Sequence, residues 1–401
     1  MQKKITDNIK NNLALYKLAL FMGVTGYGGM AIIQQIKREY VHRHKIVDEK
    51  KFLHALAFAQ ILPGSTIISL VSYFSYLKAG LIGATISTAL YVLPTFVATT
   101  ALSAIYFNFG NVPFIHEMIK NLNVLLVVLL IFTFIGIGRT IYFRDAKPDV
   151  RAMLITIIIG VIYYFSGLPM LAIVALSGIL GVLFYYLTGF FRGQLTMNEV
   201  KRGKLFLRKK AWAILLLSIL FFSAAVFYFS EPLWMLFSTF FKIGSLAFGG
   251  GVAAIPLMEN GLVRDTGWFT AAQFWDGMAI SQITPGPILI SSAFFGYRIG
   301  GIPGAIISTI AICIPSFLLV ILFGKIYERI KHLGIIRGIF RGFLSGFLGV
   351  LLVLVIQKFP GVIVSWGAGI LFAVDAAVVF FAKKWLIPAL AVTLIYSLAN
   401  I

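Results

Sequence analysis

Gly23-Val24-Thr25-Gly26-Tyr27-Gly28-Gly29, followed downstream by Leu62-Pro63-Gly64-Ser65, returns about 220 positions later as Gly244-Ser245-Leu246-Ala247-Phe248-Gly249-Gly250-Gly251 and Thr284-Pro285-Gly286-Pro287. Both copies put helix breakers inside strongly apolar stretches, where an unsatisfied backbone group costs several kcal/mol. Broken helices survive there when they are buried in protein or line a cavity. The match extends outward from the breaks. Gln60 precedes Pro63 as Gln282 precedes Pro285, and Tyr76, Gly80, Gly83-Ala84, Ser87-Thr88 and Pro94 answer to Tyr297, Gly301, Gly304-Ala305, Ser308-Thr309 and Pro315. A repeat that spans several helices indicates duplication of a whole transmembrane unit rather than a solenoid.

Composition supports the same class. Of the 401 residues 60% are hydrophobic and 12% charged, and the mean hydropathy is +0.95, outside the range of ordinary soluble domains. Apolar stretches of roughly 20 residues are long enough to cross a hydrocarbon core of about 30 Å. The expected fold is an all-α polytopic membrane protein of the cell membrane. No stretch resembles a cleaved signal peptide, since the polar N-terminus runs into Leu13 to Gly29, part of the repeat. A net charge of +20 would suggest nucleic acid in a soluble chain. Here most of the charge sits in short loops, which points to membrane topology and anionic lipid. Cys313 lies in an apolar run and reads as a packed thiol.

Loop charge orients the halves. The loop between the first-half breaks carries Lys37, Arg38, Arg43, Lys45, Lys50 and Lys51 against Glu39, Asp48 and Glu49, whereas its counterpart has Glu259, Arg264 and Asp265. By the positive-inside rule the first loop is cytoplasmic and the second external, so the two repeats are expected in inverted topology. Spans are expected at 80–107, 119–138, 152–165, 170–190, 212–229 and 302–323, with further ones at 343–356, 361–382 and 385–399. The resulting division is a first repeat at 1–192, a basic cytoplasmic linker at 193–210, and a linking helix plus second repeat at 211–401. The motif segments are either two full spans per half or re-entrant. Lys3, Lys4 and Lys10 together with the basic loop favour the re-entrant form.

Glycine lets backbone amides approach a ligand, and successive amides at a helix start carry partial positive charge. Gly28, Gly29, Gly249, Gly250 and Gly251 are therefore candidate anion contacts, reinforced by the helices that restart after Pro63-Gly64-Ser65 and Pro285-Gly286-Pro287. The competing reading is close helix packing. Gln60, Gln282, Ser65 and Thr284 add side-chain donors, or serve as interhelical hydrogen bonds. Lys78 and Arg298 end corresponding segments, where they snorkel to the interface or form an anion gateway. Lys242 and Asp276 fall inside long apolar segments, where a central charge costs about 2.5–3.5 kcal/mol. They are expected either to pair with each other or to serve substrate or proton. Asp375 reads as a packed or interfacial residue. Glu259 is an external gate candidate set against a solvated loop carboxylate.

No catalytic residue and no metal or cofactor site is expected. The five histidines, His42, His44, His54, His116 and His332, form no metal-spaced pair on an apolar helix. Walker and Gly-x-Ser-x-Gly motifs are absent from the sequence. The expected partners are a small inorganic oxyanion and the lipid bilayer, without nucleic acid; a homodimer is left open.

The set Phe248-Gly249-Gly250-Gly251, Ile255-Pro256-Leu257, Trp268, Phe274, Gln282-Ile283-Thr284-Pro285-Gly286-Pro287, Phe295-Gly296-Tyr297 and Ile314-Pro315-Ser316-Phe317 resembles the chromate transporter family, whose long members have two homologous halves. The first half departs from the pattern at Met30, where proline commonly follows Gly-Gly, at Ile46 near an expected Trp, and at Ser65, where Pro-Gly-Pro would end. The resemblance implies export of chromate or a related tetrahedral oxyanion from the cytoplasm without ATP hydrolysis. A dianion leaving through 100 mV, negative inside, gains about 4.6 kcal/mol. A sulfate-type oxyanion carrier, a passive anion channel and a lipid-handling scaffold are the alternative readings.

Overall fold

The computed structural model describes residues 12–26, 29–110, 112–144, 147–187, 231–248, 250–330, 334–381 and 386–399. The basic linker, the expected span 212–229, Gly28 and Gly249 lie outside the described residues. The fold is all-α, apart from a two-residue ladder pairing Phe143–Arg144 with Lys147–Pro148.

The first repeat opens with α1 (Leu13–Thr25), breaks at Gly26, and resumes as α2 (Gly29–Ile36), which widens into a π-helical turn over Lys37–Arg43. α3 (Glu49–Ile61) starts at an Asp48 cap, whose carboxylate accepts from Lys51 N–H at 2.7 Å. α3 stops before Pro63, and α4 (Thr66–Phe109) restarts behind Ser65, whose Oγ accepts from Ile68 N–H at 3.3 Å. α5 (Pro113–Tyr142), α6 (Val150–Ser166) and α7 (Met170–Gly181) complete the half.

The second repeat follows the same plan. α8 (Glu231–Leu246) breaks at Ala247, and a short 3-10 turn leads into α9 (Ala254–Glu259) and a π-helical turn over Asn260–Asp265. α10 (Ala271–Ile283) starts at a Thr270–Gln273 capping box, α11 is Ser291–Ile330, α12 is Gly334–Lys358, and α13 (Trp366–Phe381) and α14 (Leu386–Ala399) close the chain. α4 and α11 kink at equivalent glycines: Gly80 has φ 67° and ψ −162°, Gly301 φ 58° and ψ −147°. Backbone of that kind excludes a Cβ.

Helix length marks the longest elements as able to span, while the shorter apolar helices α6, α7, α13 and α14 are not classified by length alone. Among the described residues four helical stretches, Thr66–Phe109, Pro113–Tyr142, Ile288–Ile321 and Ile335–Gly361, are long and apolar enough to cross a membrane. α1, α3 and α10 have 13 residues each, about 20 Å at 1.5 Å per residue, short of the roughly 30 Å core. After its break the second-half chain turns back along α8, so that a Cβ on Gly261 would stand 3.5 Å from Thr239 and 3.4 Å from Ile243. These short broken elements fit the re-entrant form. Most of the expected spans coincide with helices; that at 343–356 is part of the longer α12.

The halves interlock rather than sit side by side. α4 packs on α11 at the centre, flanked by α1 on α4 and α8 on α11. Farther out each half lends a long helix to the other: α12 packs on α6 and α7, and α5 packs on α13 and α14. The α12 junction is made by glycines at backbone contact. A Cβ on Gly181 would meet Gly338 O and Gly342, and one on Gly349 would meet Thr156 O. Small residues let transmembrane helices approach closely, as expected where lipid supplies no hydrophobic drive.

Candidate functional site

The two sets of breaks meet, and they hold each other reciprocally. Gly64 N–H donates to Ala247 O at 2.9 Å, and Gly286 N–H donates to Gly26 O at 2.6 Å. Each Pro-Gly break thus spends its amide on the glycine-containing break of the other half, and Pro63 and Phe248 form an antiparallel bridge at this crossing. Side chains repeat the exchange. Ser316 Oγ donates to Pro63 O at 3.3 Å and accepts from Ser65 N–H at 3.0 Å; Thr95 Oγ1 donates to Pro285 O. Gly64 (φ 92°) and Gly286 (φ 112°) are needed twice over, since a Cβ would overlap Ser316 Oγ in the first case and Thr95 Oγ1 in the second. Proline ends the preceding helix, glycine supplies the left-handed turn, and a hydroxyl behind Pro94 or Pro315 closes it.

The structure brings Pro63, Gly64, Ser65, Gly250, Thr284, Pro285 and Gly286 to this crossing. A Cβ on Gly250 (φ 101°) would stand 3.5 Å from Thr66 Oγ1, and Thr284 Oγ1 lies 3.2 Å from Thr99 Oγ1. Gln60 is exposed and Gln282 half-buried at the ends of α3 and α10. Gly251 opens the 3-10 turn against Leu289, and Pro287 precedes a second such turn at Ile288–Ile290. The amides of Gly64, Ser65 and Gly286 are engaged by the opposite half in this conformation. Thr95, Thr99 and Ser316 were missed from sequence. The usable signal was that Thr95 and Ser316 directly follow the matched prolines Pro94 and Pro315.

The charged candidates sort differently from the expected pairing. Asp276 does not pair with Lys242: its carboxylate accepts from Tyr106 Oη at 2.9 Å and from Asn123 Nδ2 at 2.7 Å, while Lys242 is exposed on α8. Two neutral donors from the long helices of the first half hydrogen-bond the acid, and the ammonium of Lys358 at the end of α12, 5.7 Å from the ring of neighbouring Trp275, is the charge that acts on it. Lys242 lines a cavity of about 130 Å³ between α8 and the returning segment, with Thr239, Asn260, Asp265 and Thr266. Glu259 is not a solvated loop carboxylate. It is 6% exposed, lies 3.2 Å from Arg264 Nε and accepts from Tyr163 Oη at 3.2 Å. The first half has a buried acid in the same place: Glu39, 1% exposed, holds Arg38 at 3.1 Å and Arg43 at 3.4 Å. The pairing of an acid that closes the segment after each glycine break with an arginine one turn on, Glu39 with Arg43 and Glu259 with Arg264, is legible in the sequence. Lys78 and Arg298 are exposed, with Arg298 stacked 5.1 Å over Phe107. In the basic loop, the hydrogen bond from Lys37, 2.5 Å away, holds Glu49 below the usual carboxylate range, and the Lys51 N–H does the same for Asp48.

Long apolar helices, two interlocked repeats and paired helix breaks define a multi-pass membrane protein of duplicated construction. The family model described as chromate transporter matches residues 13–182 and 234–400, and the chain belongs to that family. It is 26% identical over 374 residues to a chromate transport protein of Cupriavidus metallidurans, covering 93% of this chain and 88% of that protein. A probable chromate transport protein of Synechococcus elongatus is 25% identical over 323 residues, covering 77% of this chain and 75% of the relative. An uncharacterised transporter of Methanocaldococcus jannaschii is 28% identical over 384 residues, covering 94% of this chain and 91% of the relative. No solved structure matches.

Proposed function

We infer that the chain is a secondary transporter that moves chromate or a related tetrahedral oxyanion out of the cell, with the anion held where the two broken regions cross. The observation that carries this reading is the reciprocal bonding of Gly64 to Ala247 and Gly286 to Gly26 within a chain of the chromate transporter family. Hydroxyls of Ser65, Thr95, Thr284 and Ser316 surround the crossing. Released from their present partners, these hydroxyls and the break amides are the neutral donors that suit a dianion, which they bind without fixing it by an ion pair. The repeats are inverted, as the basic loop at 37–51 and its charge-balanced counterpart suggest. Lys78, Lys242 and Arg298 attract the anion to the approaches, and Glu39 and Glu259 clasp the segments that lead from the breaks.

The test is uptake into proteoliposomes of chromate, sulfate, molybdate and phosphate under an imposed voltage. A carrier accelerates labelled-anion exchange when unlabelled anion is present on the far side, whereas a channel does not. Gly250→Leu and Gln282→Leu together should abolish efflux; unchanged efflux from folded double variant removes the crossing as the site.

A further inference from the structure

The carboxyl of Asp375 lies in the middle of α13, fully buried, in a helix otherwise built of apolar and small residues. Its Oδ1 has no hydrogen-bond partner, and its Oδ2 is 3.1 Å from Thr393 Oγ1 on α14. That hydroxyl is also 3.0 Å from Ala389 O, a carbonyl that can only accept. One hydroxyl proton cannot serve both oxygens. If it goes to Ala389 O, the contact with Asp375 is satisfied only by a proton on the carboxyl, which then donates to Thr393. No cation among the described residues is within ion-pair distance of Asp375. Its helix packs on α5 and α14. The charged and titratable groups of α5 are His116, Glu117, Lys120, Arg139 and Tyr142, and α14 carries Tyr396. Lys120 pairs with Glu117 at 3.3 Å and Tyr142 donates to Thr156 at 3.0 Å. Tyr396 Oη lies beside Gly367, two turns from Asp375. An isolated buried carboxylate neutralises rather than bear the desolvation cost.

A polar ladder leads away from this carboxyl. Ser397 Oγ, one turn beyond Thr393, donates to Thr393 O at 2.7 Å and accepts from Asn121 Nδ2 at 3.1 Å. Asn121 sits near the start of α5, one residue from exposed Lys120. Thr393, Ser397 and Asn121 are all buried. Packing does not demand such a ladder. In the equivalent junction of the other half, Ser177 Oγ donates to Ile173 O at 2.7 Å, an apolar residue standing where α14 has threonine. There Gly342 and Gly346 press against Ser177, and no acid is present in α6. That junction has its own polar contacts, Thr156 Oγ1 at 3.0 Å from Ser345 O and Arg341 at 3.1 Å from Asp149 at the head of α6, but among the described residues it has no acid within a helix that lacks a cation partner as Asp375 does.

We propose that Asp375 is a membrane-embedded proton-binding site, served by Thr393, Ser397 and Asn121, whose protonation is linked to anion movement. The linkage rests on the transport reading above; the proton site does not. The carboxyl binds and releases H⁺ alone, with no other bond made or broken. Difference infrared spectroscopy on the full chain in lipid tests the site directly: wild type should show a protonated-carboxyl band that Asp375→Asn removes and Thr393→Val shifts. No band lost in Asp375→Asn overturns the proposal. Linkage is read from sulfate or chromate distribution across proteoliposomes under an imposed pH step. One coupled proton changes the wild-type ratio by about tenfold per pH unit, and Asp375→Asn should flatten it. A ratio still following pH in Asp375→Asn overturns the linkage. If Asp375→Asn fails to fold, Thr393→Val must lower the pH response instead, and an unaltered response and band in that variant overturn the proposal. Wild type that moves no anion refutes the transport reading while the infrared result still decides the site.

Discussion

Replacing Gly64 by alanine tests the reciprocal bracing of the breaks in energetic terms. The new Cβ meets two separable penalties. The first is conformational: at φ 92° a side chain costs about 1–3 kcal/mol. The second is displacement of Ser316 Oγ, which the Cβ would overlap. Losing its bonds to Pro63 O and from Ser65 N–H costs about 1 kcal/mol each, and more for a buried amide left unpaired. The total expected for Gly64→Ala is about 3–6 kcal/mol. Gly80→Ala is the internal control, because Gly80 has φ 67° but no atom within 4 Å of a Cβ; it should cost only the first penalty. Unfolding free energies from denaturant titration in mixed micelles measure both. Combining Gly64→Ala with Ser316→Ala should cost about 2 kcal/mol less than the sum of the two alone, because both remove the same bonds. If Gly64→Ala costs no more than Gly80→Ala, or if the pair is additive, the hydroxyl is not a brace and the reasoning fails.

Gly286→Ala should follow the same pattern at a cost about 1 kcal/mol smaller, since Thr95 Oγ1 makes one bond at its break where Ser316 Oγ makes two, with Thr95→Val replacing Ser316→Ala in the same titration. Arg341→Met removes the guanidinium that lies 3.1 Å from buried Asp149; a buried acid deprived of its partner costs up to about 3–5 kcal/mol, although Tyr185 Oη still donates to it at 2.8 Å, and a loss below 1 kcal/mol would contradict the assignment. Tyr163→Phe removes one donor to Glu259 and should cost about 1.5–3 kcal/mol. Asp48 and Glu49 both titrate below their ordinary values, so their contribution to the basic loop is present above the ordinary carboxylate range and lost as pH falls through the depressed ones. The protection factor of the Lys51 amide, its exchange relative to the intrinsic rate at each pH, should therefore fall on acidification, and Asp48→Ala should remove that fall.

Periodicity and breakers carried most of the fold. Gly23, Gly26, Pro63 and Gly64 are read from sequence because glycine and proline act locally, on their own φ and on one missing N–H. The duplication then predicted that whatever happens at Pro63 happens again at Pro285. What it did not reveal was the partner. Nothing in Gly64 says that its amide reaches Ala247 rather than a ligand; that depends on how the two repeats pack, a property of the assembled chain. The same limit explains Asp276. An acid in an apolar stretch announces that it needs a donor, and Lys242 was the charged candidate at hand, whereas Tyr106 and Asn123 meet the need as neutral donors. The interlocking of α12 with α6 and α7, and of α5 with α13 and α14, was invisible because small-residue faces match several partners equally well.

The symmetry of the crossing bears on mechanism. Each clasp consists of one backbone bond between the halves and one hydroxyl bond to a proline carbonyl, together worth about 2 kcal/mol net. Opening the Gly64–Ala247 side while the Gly286–Gly26 side stays closed costs one clasp; the opposite arrangement costs the other. If transport proceeds by opening one clasp at a time, as the proposed function requires, the Thr95-side half-open state would lie about 2 kcal/mol above the closed one, a population of about 3%, and the Ser316-side one about 1 kcal/mol higher for the extra Ser65 bond. Ser316 and Thr95 are the unequal members of the pair, and the extra amide contact from Ser65 belongs only to the Ser316 side. That side should be the harder to open. Removing Ser316 Oγ should thus shift the balance between the half-open states more than removing Thr95 Oγ1, which cysteine accessibility at positions 66 and 284 would detect.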